Sequence, residues 1–263
     1  MGRVGFELLL GQVLDALPAA PATVVDAGGG TGQLAVALAR HGYRVTVVDT
    51  SAAMLATCAQ RAADEGGGIA DRVTGVQGDA SDLPGLLGPG GQDAAVCHDL
   101  LTRVEDRAAL LASLAGVLAE GGVLSLGFAN RDWLALRAGR RGDHVAALRL
   151  VGGSGGLKPS PPVDRRSGGL KPSPPVDRGA GEAMTLAEVE VEVDKAGLAV
   201  VAAHGVGVFA EAGDDDLDPA ERRRLVELER LVAGREPYRS SARTLHLVAR
   251  RGVFRPDLSG YTP

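Results

Sequence analysis

Glycines between two acidic residues are the feature of this 263-residue sequence that indicates chemistry most directly. Residues 25–32 read Val-Asp-Ala-Gly-Gly-Gly-Thr-Gly, directly after a β-type run. Glycines there let the backbone approach a ligand closely and adopt positive φ angles without a Cβ clash. Asp49 ends the next β-type run, where a carboxylate can accept hydrogen bonds from both hydroxyls of a ribose. The pattern predicts a nucleoside-containing cofactor, held by Asp26, Gly28, Gly29, Gly30, Gly32 and Asp49.

The details of the turn favour one nucleoside cofactor over another. A pyrophosphate-binding turn usually has the spacing Gly-x-Gly-x-x-Gly, whereas the spacing here is Gly-x-Gly-x-Gly. Asp26 would repel a pyrophosphate, but it suits the cationic amino group of a methionine moiety. A short-chain dehydrogenase also needs a Tyr-x-x-x-Lys pair, which none of Lys158, Lys171 and Lys195 supplies. A nicotinamide-dependent dehydrogenase is therefore disfavoured.

The elements that must position these residues alternate between strand and helix. Alternation of this kind predicts an α/β fold with a mostly parallel sheet of seven strands, helices on both faces and the last strand antiparallel. Ser51 and Thr185 are suited to cap helices, the latter in a capping box with Glu188. The predicted strands cover 23–27, 44–48, 72–77, 94–98, 123–128, 198–211 and 244–250. The predicted helices cover 33–40, 52–64, 107–119, 131–150 and 185–196, and one more begins at 218–219.

Composition and charge set the domain organisation and the classes of partner. We expect one domain over 1–263, with a cofactor-binding half (1–130), an insertion (131–184) and closing elements (185–250). The net charge is −5, yet arginine and lysine outnumber aspartate between Arg131 and Arg178, which indicates either a phosphate-rich partner or a solvated loop. A proline-rich twelve-residue sequence at 154–165 recurs at 167–178, and we expect an extended loop there.

Some partners and locations are disfavoured by the same composition. No apolar run is long enough to span a membrane, and no ligand spacing indicates a metal site. Cys58 and Cys97 are the only cysteines, and a free pair fits a reducing, cytoplasmic compartment. The sequence therefore predicts a cytoplasmic protein without membrane or metal partners.

Residues 20–130 resemble the class I S-adenosylmethionine-dependent methyltransferases. The resemblance implies a Rossmann-like fold in which Gly28, Gly29 and Gly30 contact the methionine end of the cofactor and Asp49 contacts the ribose. It also implies that 78–82 form the adenine-contacting loop, with Asp79, Ala80 and Ser81, and that His98 lies beside the methyl-bearing sulfur. Within this class the sequence resembles the bacterial tRNA 5-carboxymethoxyuridine methyltransferases at 26–33, 97–101, 122–130 and 235–238. That resemblance implies a carboxylate on a tRNA wobble uridine as methyl acceptor.

The residues around the acceptor leave alternatives open. A carboxylate acceptor needs no general base, whereas a neutral hydroxyl or amine would make His98 or Asp99 the candidate base. Phe128 and Asn130 could stack on or orient an acceptor, or they could be a core residue and a turn residue. Trp133, among the arginines after Asn130, could stack on an unpaired base or belong to the core of its helix.

Three functions consequently remain possible from the sequence. The first is a tRNA methyltransferase whose basic insertion contacts phosphates. The second is a small-molecule O- or N-methyltransferase in which the insertion is a lid. The third is a non-catalytic cofactor-binding homologue, because Gly5 and Gly207 stand where the tRNA-modifying family has arginines.

Overall fold

The fold is a seven-stranded sheet between two layers of helices, and the computed structural model describes residues 2–152, 183–210 and 214–252 of it. The strands are β1 (Thr23–Ala27), β2 (Arg44–Asp49), β3 (Val73–Gln77), β4 (Gln92–His98), β5 (Leu118–Ala129), β6 (Leu198–Val206) and β7 (Thr244–Arg251). The helices are α1 (Arg3–Ala16), α2 (Gln33–Arg40), α3 (Ala52–Asp64), α4 (Leu83–Leu87), α5 (Arg107–Val117), α6 (Arg131–Arg140), α7 (His144–Gly152), α8 (Leu186–Lys195) and α9 (Pro219–Val232).

The order of the strands is β3-β2-β1-β4-β5-β7-β6. Strands β1 to β5 pair in parallel, and β7 lies between β5 and β6, antiparallel to both. The predicted fold class is confirmed, including the last strand that enters the sheet antiparallel. The chain order reverses between β1 and β4, so the carboxyl ends of these strands flank the crevice where such sheets bind ligands.

Two apolar cores cover the two faces of the sheet because neighbouring residues of a strand point to opposite faces. Val25 and Ala27 of β1 belong to the core that α5 and α8 cover. Val24 of the same strand belongs to the opposite core, which α1, α2 and α9 cover. Asp26 alternates with these residues and therefore lies on the face of Val24, as the single acid among the apolar residues of β1.

Side-chain caps fix where several helices begin. The Oγ of Ser51 accepts a hydrogen bond from the Met54 amide at 3.3 Å. Thr185 and Glu188 form both hydrogen bonds of a capping box. Each cap satisfies amides that have no partner within the helix. The two predicted caps are confirmed.

The structure differs from the predicted elements at several places. Helices α1 and α4 were not predicted. Helix α5 ends at Val117, because the chain from Leu118 onward joins β5 and pairs with Gln92 of β4. The predicted helix over 131–150 is two helices, α6 and α7, separated at Gly142, whose φ of 78° is incompatible with a continuous helix. Strand β6 ends at Val206, before Gly207 with its φ of 75°.

The chain leaves and rejoins the sheet at one place. Asn130, directly after β5, forms an isolated parallel bridge with Met184. The Arg131 amide donates to the Met184 carbonyl at 3.1 Å, and the Met184 amide donates to the Ala129 carbonyl at 3.3 Å. The duplicated segment at 154–178 lies outside the described residues. No helix in the described part of the chain is long and apolar enough to cross a membrane.

Candidate active site

The glycine turn between β1 and α2 forms the centre of the candidate site. The Gly28 amide donates to the Val48 carbonyl at 2.8 Å, which fixes the start of the turn against β2. Gly28, Gly30 and Gly32 have φ values of 73°, 53° and 71°, a region that residues with a side chain rarely adopt. Gly32 in this left-handed conformation is the N-cap residue of α2. The turn therefore presents bare backbone at the carboxyl edge of the sheet.

Space as well as φ requires glycine in this turn. A Cβ on Gly29 would lie 2.5 Å from the Asp26 carboxyl group, and one on Gly32 would lie 2.2 Å from the Cys58 sulfur. Cys58 on α3 thus packs directly against Gly32 of the turn. It is a site neighbour that the sequence pattern did not indicate.

Asp26 is the most perturbed acid of the site. The residue is 3% exposed, and its Oδ2 has no hydrogen-bond partner among the described residues. Burial, and secondarily the negative charge of Asp49, raise the pKa of Asp26 to about 7. A buried carboxyl group without a partner is stabilised by a cation that arrives with a ligand.

Asp49 joins the turn to the end of β2. Its Oδ2 accepts from the Gly30 amide at 3.0 Å and its Oδ1 accepts from the Ser51 amide at 2.9 Å. A carboxylate has about four lone-pair sites, so two remain for a ligand. The carboxylate is only partly buried and is held in one orientation.

The loop after β3 brings three predicted residues to the same edge. The Gly78 amide donates to the Asp49 carbonyl at 3.1 Å, which ties this loop to the end of β2. The Asp79 side chain accepts from the Ser81 amide at 2.8 Å. Ala80 is buried, whereas Ser81 is partly exposed. The loop is therefore fixed beside Asp49.

His98 ends β4, the strand next to β1. Its Nε2 lies 2.9 Å from the Ser125 Oγ, and its Nδ1 is buried and has no partner in the part of the chain that the structure describes. Burial lowers the pKa of His98 to about 4, against a smaller opposing effect of the hydrogen bond with Ser125. The imidazole is consequently neutral at physiological pH.

The structure assigns Phe128 and Asn130 other neighbours than an acceptor. Phe128 is fully buried in the core. The Asn130 amide nitrogen donates to the carbonyls of Ser240 and Ala242 at 2.9 and 2.8 Å, and its Oδ1 caps α6 through the Asp132 amide at 3.0 Å. Of the two interpretations that the sequence allows, the geometry favours the core phenylalanine and the turn asparagine.

Trp133 is partly buried, and two cationic groups lie over its ring. The guanidinium carbons of Arg137 and Arg243 lie 5.0 and 5.8 Å from the centre of its ring. The ring is partly exposed on α6, which begins directly after β5. Arg131 is instead engaged with Glu188 at 2.5 Å. Stacked aromatic and guanidinium groups of this kind suit a planar, negatively charged partner.

Asp99 shows strain where the sequence suggested only a second candidate base. It is the only non-glycine among the described residues with a positive φ, 59°, and its carboxyl group is exposed. Such conformations cluster at functional sites. The next residue, Leu100, packs so closely on Gly28 that an added Cβ would lie 2.9 Å from it. No metal-binding cluster is present within the described ranges.

Comparison with known proteins identifies the family. Residues 25–124 match the family described as "Methyltransferase domain". The tRNA 5-carboxymethoxyuridine methyltransferase of Escherichia coli is 31% identical over 235 residues, which cover 87% of this chain and 79% of that protein. The chain belongs to the class I S-adenosylmethionine-dependent methyltransferases. The resemblance predicted from the sequence is confirmed.

Two further proteins resemble part of the sequence or the fold. The ubiquinone biosynthesis O-methyltransferase of Xanthomonas campestris is 33% identical over 116 residues, which cover 44% of this chain and 46% of that protein. A solved structure of geranyl diphosphate C-methyltransferase from Streptomyces coelicolor, which contains S-adenosylhomocysteine, aligns with a TM-score of 0.58 at 17% identity. The alignment covers 94% of this chain and 79% of that one, and it shows a shared fold.

The residues at the carboxyl edge fit the cofactor of this family. S-adenosylmethionine has an ammonium group, for which the unpartnered Asp26 oxygen is a suitable acceptor. The open lone pairs of Asp49 suit the two ribose hydroxyls, and the glycine turn presents its backbone at the same edge. The enzyme is an S-adenosylmethionine-dependent methyltransferase.

Proposed function

We propose that the enzyme transfers a methyl group to the carboxylate of a modified uridine at the wobble position of tRNA. The observation that carries this proposal is the 31% identity, over most of both chains, to the E. coli tRNA 5-carboxymethoxyuridine methyltransferase. The match extends well beyond the cofactor-binding segment, into the part of the chain that follows β5. Family membership favours an active enzyme over a non-catalytic homologue.

The proposed cofactor contacts follow the order of the strands. Asp26 would pair with the ammonium group, Asp49 would accept from the ribose hydroxyls, and Gly28, Gly29, Gly30 and Gly32 would line the methionine end. Asp79, Ala80 and Ser81 would surround the adenine, with His98 near the sulfonium. Partial burial of the turn and the unpartnered Asp26 oxygen support this arrangement.

The chemical step makes few demands on the protein. The cofactor supplies a methyl group on a sulfonium, from which displacement occurs in line with the attacking atom. Aligning two reactants can contribute on the order of 7–11 kcal/mol to lowering the barrier. A carboxylate is already ionised, so no general base is required. His98 is neutral at physiological pH, so it does not attract the acceptor carboxylate as a cation would.

The basic segment after β5 is the proposed RNA contact. Trp133 with Arg137 and Arg243 would stack on an unpaired base of the anticodon loop and contact its phosphates. We further infer that 131–184 is an insertion into a single domain, because the chain leaves at Asn130 and returns beside it at Met184. Action on tRNA would place the enzyme in the cytoplasm, which agrees with two free, buried cysteines, Cys58 and Cys97.

A transfer assay with labelled cofactor tests the acceptor. The enzyme is incubated with methyl-labelled S-adenosylmethionine and tRNA from cells that lack the corresponding methyltransferase, with tRNA from normal cells as the control. We expect label in the first tRNA only, released as methanol by mild base, because an ester is base-labile whereas an ether or a methylamine is not. Label that is base-stable, or no label in either tRNA, would refute the carboxylate assignment.

A small-molecule acceptor is the second candidate. The ubiquinone biosynthesis O-methyltransferase of Xanthomonas campestris matches 44% of this chain. Helices α6 and α7 also expose apolar side chains, Leu136, Val145 and Leu148, that suit a lid over an apolar acceptor.

Phosphate contacts release counterions, so tRNA binding should weaken steeply with salt. Replacement of Arg137 by Ala should reduce that salt dependence, whereas Arg40→Ala, at an exposed ion pair with Glu65, should not. Equal behaviour of the two variants would favour the lid.

A further inference from the structure

A chain of four buried or partly buried polar side chains crosses the sheet behind the candidate site. The His98 Nε2 lies 2.9 Å from the Ser125 Oγ, which lies 2.8 Å from the His246 Nε2. The His246 Nδ1 lies 3.0 Å from the Gln12 Oε1, and the Gln12 Nε2 donates to the Gly205 carbonyl at 3.2 Å. The chain thus connects β4, β5 and β7 to α1 and β6. It joins residues that are separated by up to 234 positions in the sequence.

The direction of every hydrogen bond in this chain follows from its far end. A carbonyl oxygen only accepts, so the Gly205 carbonyl requires the amide nitrogen of Gln12 and turns the Gln12 oxygen toward His246. That oxygen accepts only, so the His246 Nδ1 must carry a proton. A neutral His246 then has a lone pair on Nε2, to which the single hydroxyl proton of Ser125 is donated. The Ser125 oxygen is left to accept from His98, whose Nε2 must therefore be protonated.

Both histidines are neutral, which this deduction requires. Burial lowers the pKa of His246 well below its usual range, with further lowering by His98 and His204. The ring of His204 on β6 stacks on His246 at 6.2 Å between centroids. His204 has a lowered pKa as well, through burial and then Arg239, with a small opposite effect of Asp15. Among the described residues, no carboxylate raises the pKa of His98 or His246 toward a doubly protonated ring.

We propose that Gln12, His246 and Ser125 are positioning residues that hold His98 as the Nε2–H tautomer, so that its bare Nδ1 accepts a hydrogen bond from an N–H or O–H group of the bound ligand. The His98 Nδ1 and the Asp26 Oδ2 are both buried, and neither has a hydrogen-bond partner among the described residues. Asp26 pairs with Val96 in the register of β1 and β4, and His98 follows Val96 by two positions on the same face. Two unpartnered acceptors therefore lie on one face of two adjacent strands, at the edge that meets the ligand.

The donor can come from either of two ligands. The cofactor has an ammonium group with three N–H donors, and a base of the acceptor nucleotide has ring or exocyclic N–H groups. The inference rests on the proposed function only for the second of these, since the tautomer itself is a property of the protein alone.

Nuclear magnetic resonance of protein with isotope-labelled histidines tests the tautomer and requires no activity measurement. The protein has five histidines. The ring nitrogens of His98 and His246 are assigned with the variants His98→Gln and His246→Gln. We expect the His98 Nδ1 resonance at the position of an unprotonated ring nitrogen and its Nε2 at that of a protonated one, with the reverse for His246. A His98 that carries its proton on Nδ1, or on both nitrogens, at neutral pH would overturn the proposal.

Substitutions in this series of hydrogen-bonded side chains show whether Ser125 and Gln12 determine the tautomer of His98. Ser125→Ala should shift both His98 nitrogens toward values averaged over two tautomers. Gln12→Met, which has no strong acceptor for His246, should have the same effect. Thr57→Ala, an exposed hydroxyl on α3, is the control for the substitution itself. An unchanged His98 spectrum in both Ser125→Ala and Gln12→Met would contradict the positioning role, and the wild-type spectrum remains informative if a variant does not fold.

Ligand additions identify the donor. If S-adenosylhomocysteine alone moves the His98 Nδ1 resonance upfield, the cofactor ammonium is the donor. If the resonance moves only after an anticodon stem-loop with 5-carboxymethoxyuridine is added, the acceptor supplies it. No movement in either case would refute a ligand contact at Nδ1. Loss of methyl transfer to tRNA with the predicted tautomer intact would refute the proposed function but not this inference.

Discussion

Cofactor affinity should depend on the protonation of Asp26. The pKa of this carboxyl group in the ligand-free protein is about 7, raised by burial and by Asp49. Only the ionised form pairs with an ammonium group, and the paired carboxylate should have a much lower pKa. Binding of S-adenosylhomocysteine below pH 7 must therefore release a proton from Asp26, and this cost weakens the affinity.

The size of the effect follows from the fraction of Asp26 that is ionised. With a pKa near 7, this fraction rises about 25-fold between pH 5.5 and pH 7.5, which corresponds to about 2 kcal/mol of binding free energy. An α-amino group titrates near 7.7–8.0, so the ligand stays mostly cationic over this range. His98, with a pKa of about 4, stays neutral throughout and does not contribute.

Calorimetric titration with S-adenosylhomocysteine at several pH values measures the effect. We expect the dissociation constant to fall by about an order of magnitude or more from pH 5.5 to 7.5, with net proton release at the lower pH. Asp26→Asn should bind weakly and almost independently of pH. Asp64→Asn, at an exposed carboxylate on α3, should behave as the wild type. A pH-independent affinity in the wild type, or an Asp26→Asn variant that binds as tightly, would refute the assignment of Asp26 to the ammonium group.

The same shift predicts how stability depends on pH without ligand. Because the folded-state pKa of Asp26 exceeds the reference value of 3.8, the folded protein holds this proton where the unfolded chain has lost it. The contribution to the free energy of unfolding is therefore full below about pH 4 and is lost as the pH rises through about 7, by up to about 4 kcal/mol. Asp26→Asn removes this fall, and urea denaturation of both proteins at pH 5 and pH 8 should show a difference of about 2.7 kcal/mol, the part of the fall that lies above pH 5.

Three further substitutions test the site and its support. Asp49→Ala should weaken S-adenosylhomocysteine binding by on the order of 10–100-fold in calorimetry, through loss of charged hydrogen bonds to the ribose. Gly32→Ala should lower the free energy of unfolding by roughly 1–3 kcal/mol in urea denaturation, because its φ is 71° and the added Cβ would meet the Cys58 sulfur. Glu229→Gln should cost roughly 1–3 kcal/mol in the same measurement, because the carboxylate accepts from three consecutive backbone amides, those of residues 208–210.

Each of these has a matched control. Asp64→Ala should leave ligand affinity unchanged. Gly91→Ala should be nearly neutral, since an added Cβ there meets nothing within 4 Å. Glu227→Gln, two positions before Glu229 on the exposed side of α9, should change stability by less than about 0.5 kcal/mol. A variant that matches its control would show that the corresponding contact does not matter as described.

Local patterns were enough to predict the sheet and most of the glycine turn. Strand β1 and helices α2 and α3 have the predicted bounds, because apolar runs, glycines and the Ser51 cap are all local signals. Helix α1 was missed, since its polar residues are interspersed and only packing against the sheet selects its buried face. The break at Gly142 was missed because an isolated glycine is often tolerated within a helix.

The parts of the site that depend on tertiary contacts could not be predicted. Cys58 lies against Gly32, and Leu100 against Gly28, only once the helices and loops have packed. The side chain of Asn130 is of a type that suits ligand binding. Its amide nitrogen instead donates to backbone carbonyls 110 and 112 positions away in the sequence. The polar chain from His98 to Gln12 likewise joins four separate elements. No local sequence pattern specifies such pairs.

A crystal structure of the enzyme with S-adenosylhomocysteine at pH 7.5 tests the central claim most directly. The two acids and the glycine turn predict the ribose hydroxyls within hydrogen-bond distance of the Asp49 carboxylate, and the ammonium group paired with Asp26. A ligand bound with its ribose away from Asp49 and its ammonium group in contact with neither Asp26 nor the turn would contradict the account.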